Sequence, residues 1–75
     1  MSKNSTTLKI SSRLHVLRAE TRMTQEELAN KIGVTRATII AIEKGDYNPS
    51  LELAFRLALF FDTDINQIFS VQEEK

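Results

Sequence analysis

Seventy-five residues leave no room for a second domain and build only a small core, so stability would gain from a second copy that adds buried surface. With no cysteine and one histidine, His15, the chain offers no disulfide, no thiol nucleophile and no His-based metal site. Ten basic and ten acidic residues cancel, but unevenly: residues 1–45 hold eight basic against four acidic, a net +4, and residues 46–75 hold two against six, a net −4. A polarised molecule is expected, and that asymmetry bears on partners more than the total does.

The start, "MSKNSTTLKI", lacks the apolar run of a signal peptide, and no apolar stretch reaches the roughly 18 residues of a membrane span. The expectation is a soluble, cytoplasmic protein of one domain, residues 1–75, with residues 1–9 and 72–75 frayed. "LKI" near the start and "FSVQ" near the end have strand-like content and could pair as a minor two-stranded ribbon. Helix 1 is expected to begin after Ser11 or Ser12, both good N-caps, with Leu14, Leu17 and Thr21 on one face. His15 reads as an exposed residue of this helix, without chemistry.

Helix 2 starts at Thr24, where "TQEE" forms a capping box between Thr24 and Glu27. Its inner stripe is Leu28, Ala29 and Ile32, and Gly33 ends it in the left-handed conformation. Thr35 caps helix 3, which runs to Lys44 and stops at Gly45. "DYNPS" is a turn. Ser50 caps helix 4, whose inner face is read as Leu51, Ala54, Leu57, Ala58 and Phe61. "DTD" breaks that helix, and Asp64 with Gln67 is read as a second capping box, opening helix 5 over Ile65, Ile68 and Phe69. The fold class is all-α, a compact bundle of five short helices.

Residues 24–45 hold the functional constellation. Ala29 is small where helix 3 must cross closely, Gly33 makes the turn, and Val34 can plug under it. Leu28 and Ile32 anchor helix 2, and Ile39 and Ile42 anchor helix 3. Each feature alone reads as ordinary core; all in register specify a helix-turn-helix. At about 100° per residue, with Arg36 set at zero, Ile39 and Ile42 fall near 300° and 240°, whereas Ala37, Ile40, Ala41 and Lys44 fall between about 40° and 140°. The two faces separate, and Ile40 points away from the core.

The pieces "LR" (17–18), "TQEELA" (24–29), Gly33, "IEKG" (42–45), "NPS" (48–50) and "IF" (68–69) resemble the Cro/C1-type helix-turn-helix family of prokaryotic and phage regulators over residues 12–69. The resemblance is to stand-alone members without an effector domain, and it implies a five-helix, lambda repressor-like domain that binds an inverted-repeat operator as a homodimer. It assigns base-edge positions to Arg36, Ala37, Ile40 and Ala41, and phosphate contacts to Gln25, Thr35 and Lys44. Arg18 and Glu43 match a partly buried ion pair, with Arg18 also near the DNA backbone.

This chain departs from the family, whose members usually carry polar residues at several of the positions held by Ala37, Ile40 and Ala41. Arg36 is the one strong hydrogen-bonding reader left, suited to a guanine, and Ile40 suits a thymine methyl. The plainer alternative for Ile40 is a tolerated surface residue or a protein contact. Helix 4 has more apolar residues than one face needs: Phe55 and Leu59 lie to one side of the inner stripe, and Leu53 and Phe60 to the other. Leu59, Ile65, Phe69 and Val71 are the expected dimer interface. Double-stranded DNA is the expected partner, with no cofactor, no metal, no small-molecule effector and no membrane. The leading function is a transcriptional repressor. An antitoxin that also binds a toxin is the alternative, and an enzyme finds no nucleophile–base set or phosphate loop to support it.

Overall fold

The structure, a computed structural model, describes residues 7–74 and the side chains of 8–71. The chain runs β1 (Thr7–Ser12), α1 (Leu14–Glu20), α2 (Gln25–Ile32), α3 (Arg36–Lys44), α4 (Leu51–Phe60), a single 3-10 turn (Ile65–Gln67) and β2 (Phe69–Glu74). Four α-helices and one 3-10 turn thus stand where five helices are expected. β1 and β2 form the antiparallel ribbon, from Thr7 opposite Glu74 to Ser12 opposite Phe69. The ladder takes in residues 7–9 and 72–74, which were expected to fray, because pairing gives their backbone groups partners. Residues 1–6 and 75 lie outside the described residues.

A two-stranded ribbon is marginal alone. This one is joined to the helices where the Arg13 N–H donates to the Ile68 carbonyl at 2.7 Å and where Phe69 packs against the core. That junction also shifts the start of α1. Ser11 and Ser12 belong to the strand, Arg13 holds the N-cap position, and the Ser12 hydroxyl accepts from the Leu14 N–H at 3.0 Å.

The remaining helix ends follow from local chemistry. Glu27 N–H donates to the Thr24 hydroxyl at 3.0 Å and Thr24 N–H to the Glu27 carboxylate at 2.8 Å, completing the capping box. Thr35 and Ser50 accept from the N–H groups of Thr38 and Leu53, three residues on. Gly33 (φ 89°) and Gly45 (φ 81°) supply the left-handed ends of α2 and α3. Asp64 departs from expectation: its carboxylate accepts from Asn66 N–H at 3.0 Å, a tighter turn than a capping box, and only one 3-10 turn follows before β2.

Leu14, Leu28, Ile39, Ile42, Leu57 and Ile68 are fully buried, drawing one core from all four helices and the segment before β2. The inner face of α4 differs from expectation at two positions. Leu53 is buried, whereas Leu51 is 72% exposed. Leu53 lies about 40° from Leu57 around the helix, and Leu51 about 120°. With apolar residues on nearly every side of α4, the alternation alone does not fix its phase.

Candidate nucleic-acid interface

α2, the turn Gly33–Thr35 and α3 form the helix-turn-helix. The turn is closed on the α2 side by two N–H groups, Gly33 at 2.8 Å and Val34 at 3.0 Å, that both donate to the Ala29 carbonyl. Ile39 and Ile42 of α3 are buried against the core. The opposite side carries Arg36 and Ala37, both exposed, with Ile40 and Ala41 half-buried. Ile40 is not among the half-buried apolar residues that pack on the core. Among the described residues Arg36 meets no carboxylate within ion-pair distance, so its guanidinium is available to an outside partner.

Around this face, Thr35 is exposed; its hydroxyl caps α3 and lies 3.1 Å from that of Thr38. Lys44 is exposed and 3.9 Å from the Asp46 carboxylate, an exposed pair too weak to sequester the ammonium. Gln25, the first residue of α2, donates from Nε2 to Glu43 at 3.0 Å.

Glu43 is the polar centre of the region. Arg18 Nε donates to its Oε2 at 2.8 Å and Arg18 Nη2 to its Oε1 at 3.2 Å, while Arg18 Nη1 donates to the Met23 carbonyl at 2.9 Å. One carboxylate at the C-terminal end of α3 therefore ties down α1 and the first residue of α2. Burial pushes the Glu43 carboxyl up. The hydrogen bonds from Arg18 and Gln25, with the charge of Arg18, outweigh burial and hold it below the usual carboxylate range. The same contact raises Arg18 against the cost of its burial. Arg18 thus spends three donors inside the protein.

The four residues read as a dimer interface divide between two depressions. Ile65, Phe69 and Val71 line a groove with Ile10, Leu51 and Ala54. Ile65 and Phe69 are half-buried on the core, and Val71 is 58% exposed. Leu59, 80% exposed, instead borders a notch with Lys31, Ile32, Arg56 and Phe60. Two long-range side-chain contacts were not read from the sequence: Gln25 with Glu43, and Arg56 with the Ile32 carbonyl. Both join residues 18 or more positions apart, and no local pattern announces them. Among the described residues no group of three or more His, Asp or Glu is placed to hold a metal ion, and no helix is long and apolar enough to cross a membrane.

Comparison with known proteins agrees with this architecture. Residues 14–68 match a helix-turn-helix family model. An HTH-type transcriptional regulator of Methanocaldococcus jannaschii is 52% identical over 64 residues, 85% of this chain and 97% of its own. The cryptic phage CTXphi transcriptional repressor RstR of Vibrio cholerae is 43% identical over 63 residues, 84% of this chain and 57% of its own. Among solved structures, the transcriptional regulator VanUg superposes with a TM-score of 0.78 over 99% of both chains at 20% identity, a likeness of fold. A protein from Bacteroides fragilis superposes with a TM-score of 0.73 at 26% identity, over 81% of this chain and 98% of its own. The chain belongs to the Cro/C1-type helix-turn-helix family of DNA-binding transcriptional regulators.

Proposed function

We propose that this regulator is a repressor that occupies an inverted-repeat operator as a homodimer, with α3 of each copy in the major groove. The observation that carries the reading is the division of α3: Ile39 and Ile42 are buried while Arg36 and Ala37 stand exposed at its N-terminal end, the end that enters the groove in a helix-turn-helix. Repression is supported by the likeness to RstR. Arg36 contacts a guanine through O6 and N7, and Ile40 with Ala37 and Ala41 packs on thymine methyls. Lys44 pairs with a phosphate. One of the Thr35 and Thr38 hydroxyls donates to the other, which leaves one hydroxyl proton for a phosphate oxygen. Gln25 keeps an amide hydrogen and its carbonyl for the backbone while held by Glu43. Arg18 acts chiefly by holding Glu43.

The dimer face is the outer side of α4. Leu51, Phe55 and Leu59 recur every four residues, are 72%, 50% and 80% exposed, and run from the groove beside Val71 to the notch beside Ile32. Such a stripe suits a second copy across a two-fold axis, which sets two reading helices about 34 Å apart. Selection of bound sequences from random duplex DNA tests the reading. A two-fold-symmetric site should be enriched; no enrichment at moderate salt would sink it.

A further inference from the structure

Arg56 lies on α4 in the acidic half of the chain, outside the helix-turn-helix, yet it reaches into the turn. Its Nη1 donates to the Ile32 carbonyl at 2.8 Å. Ile32 is the last residue of α2, where carbonyl groups lack partners within the helix. Gly33 and Val34 both direct their N–H groups to Ala29, and the Ile32 carbonyl is met from α4 instead. A guanidinium at a helix C-terminus also complements the helix dipole. The contact is close to the pivot: a Cβ placed on Gly33 would lie 4.0 Å from Arg56 Nη1. Three residues, Gly33–Thr35, separate α2 from α3, so the path of the chain there sets the direction of the reading helix.

We propose that Arg56 is a positioning residue for DNA recognition: it holds the last carbonyl of α2 and thereby the angle at which α3 meets the groove. This rests on the reading of α3 as the DNA-reading helix. α3 is then held at both ends by arginines from outside it. Arg18 binds Glu43 at its C-terminal end, and Arg56 steadies the turn before its N-terminal end. The exposed Glu52 carboxylate, 3.7 Å from Arg56 Nε, contributes little to this arrangement. Arg56 also borders the notch that contains Leu59 and Phe60, so the proposed dimer face and the turn share this side chain.

The test compares Arg56→Met, Arg56→Lys and Glu52→Gln with the natural chain. The probes are the duplex site selected by the natural protein and a random duplex of equal length, with all measurements well below each variant's unfolding midpoint. A purely structural loss lowers the folded fraction and weakens both duplexes alike. A positioning role lowers the ratio of selected-site to random affinity, by about tenfold in Arg56→Met, with partial recovery in Arg56→Lys and no change in Glu52→Gln. A ratio in Arg56→Met within twofold of the natural chain overturns the proposal. So does a folded Arg56→Lys that shows no recovery. If the natural chain selects no site, it is the DNA-reading function itself that fails.

Discussion

Glu43 shows how one residue can serve three helices. Its carboxylate accepts from Arg18 and Gln25, and its pKa is lowered from the usual 4.5. A lowered carboxylate contributes stability that is present above the unfolded value and is lost as pH falls through the folded one. Stability should therefore decline on acidification below about pH 4.5. Glu43→Gln should cost about 1–3 kcal/mol at neutral pH and flatten the acid limb. Denaturation midpoints followed from pH 7 downwards check this; an unchanged acid slope in the variant would assign the sensitivity to other carboxyls. Ile40 poses a different question, because an apolar side chain on a reading face can gain only by burial. Replacing thymine with uracil at one position of the selected site should weaken the natural protein about fourfold, the worth of one buried methyl group. Ile40→Asn should abolish that difference, and an equal loss in the variant would place Ile40 away from thymine.

At the scale of elements, the starts of α2, α3 and α4 were legible because their caps are local. Thr24, Thr35 and Ser50 each need only a backbone N–H three residues away, and Gly33 and Gly45 need only a positive φ. An added Cβ at Gly45 meets nothing within 4 Å, and at Gly33 only Arg56 Nη1. Gly33→Ala and Gly45→Ala should therefore destabilise by similar amounts, about 1–2 kcal/mol of backbone strain each. Urea denaturation of the two variants checks this, and a markedly larger loss at Gly33 would reveal a packing contribution there from Arg56. The phase of α4 was not legible. Leu51 and Leu53 are equivalent by composition, and only the surface that receives the helix distinguishes them. The start of α1 shifted for a related reason: the ribbon takes the backbone of Ser11 and Ser12 into β1 and leaves Arg13 at the cap position, although the Ser12 hydroxyl still meets the first N–H of the helix.

For the whole molecule, the outer α4 stripe matters most. A small chain with Leu51, Phe55 and Leu59 exposed in line leaves apolar surface that association would cover. Sedimentation should show a mass that rises with concentration towards twice the monomer, and Leu59→Glu should hold the chain monomeric. Leu59 is 80% exposed, so the fold of the monomer should be spared, with an unfolding free energy within about 0.5 kcal/mol of the natural monomer's at concentrations too low for association. A natural chain that stays monomeric with and without its selected DNA would remove the dimer.

The amino-acid sequence by itself determined the helix-turn-helix, its caps, and the division of α3 into a buried isoleucine side and an exposed side. These depend on spacings within one or two turns of helix and on residues whose backbone preference is strong. Tertiary structure decided the register of β1 on β2, the face that α4 buries, and the contacts of Gln25 with Glu43 and Arg56 with Ile32. Each joins segments whose approach is set by packing of the whole core, and a side chain long enough to reach one carbonyl is long enough to reach several. Only the fold selects which.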